Sequence, residues 1–400
     1  MDIVIVAQYL RNIGDFSGNN SRFVYLAKEL TRDPQNSVEI ITSDFYHGTK
    51  THFESVGDLE GVKITALHEG GYPTNVCLKR FSSHKELANN VKEYLRTRKK
   101  PDLCYCAIPS LDVAEAVARY CEKNDVRFFV DIQDLWPEAF QMVFRVPVLS
   151  DLIFLPLKRQ ADKIYKTADQ IVAVSRTYVE RAMRVNRKCA EGKVVFLGTK
   201  LETFDENVKN NPVEKPSDEI WLGYCGTLGA SYDITCVLDA LCILQEKGVS
   251  VPKFIVMGDG PRKNEFEAYA KEKNIDAVFA GRLPYDQMCG MLSACDIAVN
   301  PITHGAAQSI INKHGDYAAS GLPVLNTQEC EEYRDLVTEY QMGYNCRNND
   351  AEDLAEKMLL LLESETLRKE MGRNARRCAE ERFDRKNSYG VILDLITRGN

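Results

Sequence analysis

The sequence lacks the features that a secreted, zinc-binding or nucleic-acid-binding protein would be expected to show. Its thirteen cysteines are scattered and odd in number, and none forms a Cys-x-x-Cys pair or a Cys/His cluster at zinc spacing. Fifty-one Lys and Arg against 58 Asp and Glu give a net charge of −7, which argues against broad binding to nucleic acid. We therefore expect reduced thiols, no metal and no nucleic-acid partner.

Long apolar runs are also absent. No stretch approaches the roughly 20 residues that cross a bilayer as a helix. The apolar run at residues 3–7 has no basic flank and no following cleavage site, so it predicts a first strand rather than a signal peptide. These observations favour a cytoplasmic protein.

The composition is that of an ordered chain large enough for two domains. Apolar residues make up 44% and charged residues 27% of 400 residues, which is typical of globular proteins. A single hydrophobic core seldom serves so long a chain. We therefore expect two domains.

Short β-branched runs alternate with amphipathic runs through most of the chain. Residues 3–7 and 171–174 have the pattern of buried strands, and Phe23, Leu26 and Leu30 mark one face of a helix. Such alternation predicts parallel sheets covered by helices on both faces. The fold class is therefore α/β, doubly wound.

The alternation is interrupted once, over residues 205–219, which hold two prolines, three asparagines and many charges. This composition is typical of a linker. The predicted division is a first domain over 1–204, a linker over 205–219 and a second domain over 220–383, followed by a C-terminal helix over 384–400.

Two glycine turns follow predicted strands of the second domain. They lie at residues 226–229 and 258–261, where backbone N–H groups could approach a phosphate at a helix N-terminus. The turn at 226–229 is not a dinucleotide-binding fingerprint, because the third glycine is missing, and it is not a P-loop, because no Gly-Lys-Ser/Thr follows. A tight turn without a ligand is the alternative.

Lys313 and Asp316 lie three residues apart on one face of a predicted helix. A lysine there could neutralise a diphosphate, and a carboxylate could accept both hydroxyls of a ribose. A surface ion pair is the alternative.

Three features of the first domain could contact a substrate. Asp134 and Glu138 flank Trp136 after a predicted strand, where a carboxylate could orient a hydroxyl and the indole could face a sugar ring. His47 follows the second strand, and Gly18 lies in a loop after the first. The alternatives are a helix start with a packed tryptophan, a loop histidine and a flexible turn.

Residues 142–149 and 152–157 are apolar and interrupted by proline, and Lys158 and Arg159 follow at once. They predict either a buried part of the first domain or an interfacial patch in contact with anionic lipid.

Several motifs together resemble glycosyltransferase family 4, a group of retaining enzymes with the GT-B fold. The resemblance is closest to the bacterial capsule and O-antigen branch that includes L-fucosamine-type transferases. It covers almost the whole chain, and the matching segments are residues 134–138, 256–261, 279–284, 294–301 and 312–324.

The resemblance implies two facing Rossmann-like domains with a central cleft, the first binding the acceptor and the second the nucleotide-sugar donor. The last helix of such chains commonly returns to the first domain. The implied donor-binding residues are Gly18, Gly226, Thr227, Leu228, Gly258, Gly260, Arg282, Leu283, Gln308, Lys313 and Asp316. The implied catalytic residues are Asp134, Glu138 and Lys313, and the implied acceptor-binding residues are Trp136 and His47.

The sequence departs from the family pattern in two motifs. The family's Glu-x7-Glu motif is replaced by Gln308 and Asp316, and Tyr232 and Asp233 stand where the family usually carries Lys-Gly. Lys313 and Arg282 are the candidates to supply the cation that would stabilise a departing diphosphate without a metal.

The implied reaction is transfer of a sugar, with retention, from a UDP-sugar to a lipid-linked glycan on polyprenyl diphosphate, without a cofactor. Such an acceptor would bring the protein to the inner face of the membrane. Two alternatives remain: a UDP-sugar epimerase, which would convert the donor without an acceptor, and a subunit that binds a nucleotide-sugar without catalysis.

Overall fold

The computed structural model describes residues 1–16, 21–75, 77–138, 149–306 and 309–398. The chain divides into two compact units. Unit 1 comprises Met1–Val195 and Val391–Asn400, and unit 2 comprises Phe196–Gly390.

Unit 1 is built on a parallel sheet. Its strands are β1 (Asp2–Val6), β2 (Ser37–Ser43), β3 (Phe45–Tyr46), β4 (Thr51–His52), β5 (Val62–Leu67), β6 (Leu103–Ile108), β7 (Arg127–Ile132), β8 (Gln170–Ala173) and β9 (Lys193–Val194). The sheet has the order β5-β2-β1-β6-β7-β8-β9, and β3 and β4 form a separate antiparallel pair. Its helices are α1 (Arg22–Leu30), α2 (Leu78–Thr97), α3 (Leu111–Asn124), α4 (Leu149–Thr167) and α5 (Arg176–Met183).

Unit 2 contains a second parallel sheet. Its strands are β10 (Trp221–Cys225), β11 (Lys253–Met257), β12 (Ala277–Gly281), β13 (Ile297–Asn300), β14 (Val324–Asn326) and β15 (Gly343–Asn345), in the order β12-β11-β10-β13-β14-β15. Its helices are α6 (Leu201–Asn210), α7 (Ile234–Glu246), α8 (Lys263–Glu272), α9 (Tyr285–Ser293), α10 (Asn312–Ala319), α11 (Glu331–Glu339), α12 (Ala351–Glu363), α13 (Glu365–Cys378) and α14 (Arg385–Ser388), with a π-helical turn at Ala379–Phe383. The last helix of the chain is α15 (Gly390–Arg398).

The central strands of unit 2, β10, β11 and β13, are buried along most of their length because helices cover both faces of the sheet. In β11, Phe254 and Val256 enter one hydrophobic cluster, while Ile255 and Met257 enter another. This alternation follows the two-residue period of a strand.

The strand order of unit 2 reverses direction between β10 and β13. In open parallel sheets, ligands bind beyond the carboxyl ends of the strands at such a switch point. We therefore expect a ligand-binding site at the loops after β10 and β13.

The structure corrects the predicted linker. Helix α6 occupies its first six residues, and the preceding Leu201 and Phe204 are buried in unit 2. The prediction was wrong there because residues 205–210 form the polar end of a short amphipathic helix, whose buried residues come earlier. The units also divide after Val195 rather than after residue 204, and residues 384–390 group with unit 2.

The C-terminal residues 391–400 group with unit 1. There the guanidinium of Arg127 donates to the carbonyl of Leu395 at 3.3 Å, close to the C-terminal end of α15. The carbonyl oxygens at a helix end lack partners within the helix, so a cation at this position is favourable.

Candidate functional site

Helix α10 is fixed against the carboxyl ends of both switch-point strands. The hydroxyl of Tyr317 accepts a hydrogen bond from the Cys225 amide of β10 at 3.1 Å and donates to the Val299 carbonyl of β13 at 3.1 Å. Tyr317 is buried, so these bonds hold the helix in one place. The helix ends at Ala319, and Gly321 two residues later has a φ of +66°, the left-handed conformation that glycine adopts without strain.

Lys313, in the first turn of α10, is a buried ammonium. Its Nζ lies 4.3 Å from the ring centroid of Tyr224 and 4.0 Å from that of Tyr232, and its residue is 8% exposed. Within the described residues, Nζ has no hydrogen-bond partner. The predicted alternative, a surface ion pair with Asp316, is therefore wrong.

Burial lowers the pKa of Lys313 from 10.5 to about 7. The two tyrosine faces attract a cation but accept no conventional hydrogen bond from it. An ammonium in this situation gains most from an anion that supplies the absent partner.

The glycines of the two turns allow the turns to pack backbone against backbone. A Cβ at Gly258 would lie 1.8 Å from the carbonyl oxygen of Gly226, and one at Gly260 would lie 2.3 Å from that of Leu228. The Leu228 amide also donates to the Asp259 carbonyl at 2.9 Å. Close packing therefore accounts for the glycines at 258 and 260.

Gly226 has a further role beside the lysine. A Cβ there would lie 2.6 Å from Lys313 Nζ, and its φ is +144°. The hydroxyl of Tyr224 donates to the Thr227 carbonyl at 2.7 Å, which holds the turn over the same tyrosine that faces the ammonium. The 226–229 turn and Lys313 are thus brought together.

Asp316 lies on the same helix but contacts different groups. Its Oδ1 accepts hydrogen bonds from the hydroxyls of Thr199 and Tyr285, both at 2.9 Å. Burial raises the pKa of the Asp316 carboxyl, and the two hydroxyl bonds partly oppose that shift.

A polar row at the ends of three strands was not predicted. Asn300, Asn326 and Asn345 are register partners at the ends of β13, β14 and β15, and their amides are hydrogen-bonded in series at 2.9 Å. His314 of α10 contacts Asn300 at 3.1 Å and stacks on Tyr333 with ring centroids 3.5 Å apart. In the sequence, this row could have been recognised from the asparagine that ends each of the three strand segments.

The remaining predicted donor residues either lie after β12 or fall outside the described residues. Arg282 is exposed after β12, and Leu283 is half-buried against the unit 2 core. Gly18 and Gln308 lie outside the described residues.

In unit 1, the predicted carboxylates have partners of their own. Glu138 pairs with Arg181 at 2.5 Å, and Arg181 also pairs with Asp162 at 2.7 Å. Asp134 accepts a hydrogen bond from the indole of Trp136 at 3.1 Å, and burial raises the pKa of this carboxyl. Trp136 is 5% exposed, which agrees with the alternative prediction of a tryptophan packed in the fold.

His47 belongs to a cluster at the carboxyl edge of the first sheet. Its Nδ1 contacts the Tyr72 hydroxyl and lies 3.2 Å from Lys50 Nζ. Tyr9 lies beside it in an edge-on ring contact, with centroids 5.1 Å apart. His47 therefore lies in the turn between β3 and β4, in contact with polar aromatic side chains.

Among the described residues, Asp44, His52 and His68 form a group that could hold a metal ion. Their ligand atoms lie within 4.8 Å of one another. Each histidine Nδ1 faces a different oxygen of Asp44, at 3.2 and 2.9 Å. The group belongs to unit 1, whereas Lys313 belongs to unit 2.

The membrane prediction is described only in part. Residues 142–148 lie outside the described residues, and α4 begins at Leu149 and includes Pro156. Phe154, Leu155 and Leu157 are half-buried. None of the described helices combines the length and the apolar character needed to cross a bilayer.

Residues 205–378, within unit 2, match the family Glycosyl transferases group 1. The uncharacterized glycosyltransferase MJ1069 of Methanocaldococcus jannaschii is 23% identical over 243 residues, which is 59% of this chain and 60% of that protein. The chain thus matches less than two thirds of that relative's length.

Two solved structures share the fold. HepE (Alr3699) of Anabaena in complex with UDP has a TM-score of 0.71 at 15% identity, with 100% of both chains covered. Sucrose-phosphate synthase (tll1590) of Thermosynechococcus elongatus has a TM-score of 0.73 at 14% identity, covering 100% of this chain and 98% of that one. The chain therefore has the GT-B fold.

Proposed function

We propose that this chain is a retaining glycosyltransferase that transfers a hexosyl or acetamidohexosyl group from a UDP-sugar to a glycan carried on polyprenyl diphosphate. The proposed setting is capsule or O-antigen biosynthesis, at the inner face of the membrane. The group 1 domain of unit 2 and the complexes of HepE with UDP and UDP-glucose support the donor class. The motif resemblance supports retention and the acceptor class.

The proposal depends most on the surroundings of Lys313. Lys313 is a buried ammonium without a hydrogen-bond partner in the described part of the chain. It faces the Gly226 turn at the switch point of the parallel sheet of unit 2. A diphosphate bound there would supply its counter-charge. As the bond between sugar and diphosphate breaks, negative charge grows on the leaving oxygen, and a fixed cation stabilises it most at that moment.

Asp316 and the two turns complete the proposed donor site. Asp316 accepts the ribose hydroxyls, while Gly226, Thr227 and Leu228 lie along the phosphates. A phosphate oxygen of the leaving group takes the proton of the incoming hydroxyl, so the step needs no protein nucleophile. The glycosidic bond to UDP breaks on the same face as the new bond forms, which conserves the anomeric configuration.

Titration calorimetry with UDP tests the donor site. Lys313→Gln should weaken UDP binding about 10- to 100-fold, because a charge-assisted hydrogen bond contributes roughly 1.5–3 kcal/mol. Lys369→Gln is the matched control, since Lys369 is 67% exposed and pairs with Glu365 elsewhere in unit 2. Equal UDP affinity in the two variants would remove Lys313 from the phosphate site.

Activity is tested with UDP-sugars and a prenyl-diphosphate-linked sugar, with the anomeric configuration of the product read by NMR. A product with the donor's configuration is expected. Conversion of the UDP-sugar without acceptor would instead identify an epimerase, and UDP binding without any product would indicate a non-catalytic subunit.

A further inference from the structure

A group of cationic and aromatic side chains in unit 1 lies outside the predicted donor site. Arg80, in the first turn of α2, has its guanidinium carbon 4.7 Å from the ring centroid of Trp136 and 5.4 Å from that of Tyr72. Its Nη2 donates to the hydroxyl of Tyr9 at 3.1 Å. Planar stacking of this kind holds the guanidinium in one orientation.

The two cations of this group are satisfied only by neutral partners. Arg80 Nε is buried without a hydrogen-bond partner among the described residues. Lys50 Nζ contacts Nδ1 of His47 at 3.2 Å and the amide oxygen of Asn75 at 2.5 Å.

The carboxylate of Glu69 does not neutralise the cations. It accepts hydrogen bonds from Gln8 at 3.0 Å and from Ser83 at 2.8 Å. Asp134, the other nearby carboxyl, bonds the indole of Trp136. The positive charge of Arg80 and Lys50 is therefore uncompensated by an ion pair within the described residues.

The neighbouring histidines add no charge at neutral pH. Burial, together with the positive charges of Lys50, Arg80 and Arg11, lowers the pKa of His47 to about 4. Burial lowers the pKa of His84 to about 3. Both imidazoles therefore stay neutral, which leaves an arginine and a lysine to bind an anion.

Two apolar side chains in the first turn of α2 are exposed. Leu78 is 87% exposed and Phe81 is 38% exposed, and both lie on the same turn of α2 as Arg80. Side chains of this type at a surface favour contact with a hydrocarbon chain over water.

We propose that Arg80 and Lys50 bind the phosphate groups that join the acceptor glycan to its lipid, while Leu78 and Phe81 contact the first part of the prenyl chain. Nη1 and Nη2 of Arg80 each donate one hydrogen bond, to the Asn75 carbonyl at 2.8 Å and to the Tyr9 hydroxyl. The remaining N–H groups of the guanidinium can donate to phosphate oxygens, and the lysine adds a point charge. This inference rests on the proposed function, since it assigns a binding site to the acceptor.

Farnesyl diphosphate and inorganic diphosphate are suitable probes, titrated into the full chain carrying Lys313→Gln so that the donor site contributes least. Arg80→Gln added to that chain should weaken farnesyl diphosphate binding about 10- to 100-fold. Leu78→Gln should weaken farnesyl diphosphate binding several-fold and leave inorganic diphosphate binding unchanged.

Arg96→Gln is the matched control on the same helix, because Arg96 is 72% exposed and pairs with Glu93. Lys50→Gln provides a second test should Arg80→Gln lower the melting temperature. Farnesyl diphosphate affinity that is undetectable, or equal in the Arg80→Gln and Arg96→Gln chains, would overturn the proposal.

The two proposals can fail separately. UDP titrated into a chain with Arg80→Gln and native Lys313 should bind as it does to the unaltered chain. A chain that binds farnesyl diphosphate through Arg80 and does not bind UDP would contradict the donor assignment alone.

Discussion

Lys313 combines a destabilising environment with the chemistry that a phosphate ligand needs. Burying an ammonium without a hydrogen-bond partner destabilises the folded state. The cation–π contacts with Tyr224 and Tyr232 offset only part of this penalty. Proteins commonly keep such a group where function needs it. Stability and ligand binding should therefore respond in opposite directions when Lys313 is replaced.

Lys313→Met should raise the free energy of unfolding below pH 7, by an amount on the order of 5 kcal/mol. Below about pH 7 the lysine is charged in both the folded and the unfolded chain, so its burial is penalised in full. Between pH 7 and 10.5 the unfolded chain binds more protons than the folded chain, so the native protein gains stability as pH rises. Urea unfolding at pH 6 and pH 10 should show the advantage of the variant shrinking, and an advantage that grows with pH would contradict the buried-cation account.

Asp316 differs from Lys313 because its Oδ1 already accepts hydrogen bonds from two hydroxyl groups. Asp316→Asn keeps an amide oxygen for Thr199 and Tyr285 but presents an N–H group where a ribose hydroxyl would donate. We expect a melting temperature within a few degrees of the native value and UDP binding weakened about 10-fold. Calorimetry and thermal unfolding measure the two quantities, and unchanged UDP affinity would remove Asp316 from the ribose site.

At the scale of elements, the two glycine turns form one backbone-packed unit at the ends of β10 and β11. Their contacts are between backbone atoms, among them the hydrogen bonds from the Gly226 amide to the Met257 carbonyl and from the Leu228 amide to the Asp259 carbonyl. Backbone cannot move aside as a flexible side chain can, so these positions tolerate little added volume.

Gly258→Ala should destabilise unit 2 by more than about 2 kcal/mol, because the new Cβ would lie 1.8 Å from the Gly226 carbonyl oxygen. Gly229→Ala is the control, since its Cβ would meet only a methyl of Thr227 at 3.7 Å. Urea unfolding of both variants measures the difference. Similar midpoints would mean that the two turns do not pack as described.

At the scale of the whole molecule, each unit has its own sheet, its own core and its own cluster of charged groups. A ligand that binds only the folded form of one unit stabilises that unit by mass action, about 2.7 kcal/mol at a concentration 100 times its dissociation constant. The proposed ligands should therefore act on different parts of the chain.

UDP should slow amide hydrogen exchange in residues 226–229 and 313–319, with less change in α2. Farnesyl diphosphate should protect the first turns of α2. Mass spectrometry of peptides from both units reads these effects. Protection of α2 by UDP equal to that of α10 would argue against separate donor and acceptor sites.

The sequence by itself determined the α/β alternation, the first strand, the glycine turns and the shared helix face of Lys313 and Asp316. These features depend on residues within one or two turns of each other, where periodicity and glycine content are strong signals. Local composition misjudged residues 205–210, where the buried side chains of α6 come just before the polar stretch.

Only the tertiary structure decided the state of the charged groups. Tyr224 and Tyr232 lie more than 80 residues from Lys313 along the chain, and Tyr9 lies 71 residues from Arg80. Whether a lysine is a solvated surface charge or a buried cation depends on such distant neighbours, which the sequence pattern around it does not encode. The chemistry of both clusters follows from burial, and burial is a property of the packed fold.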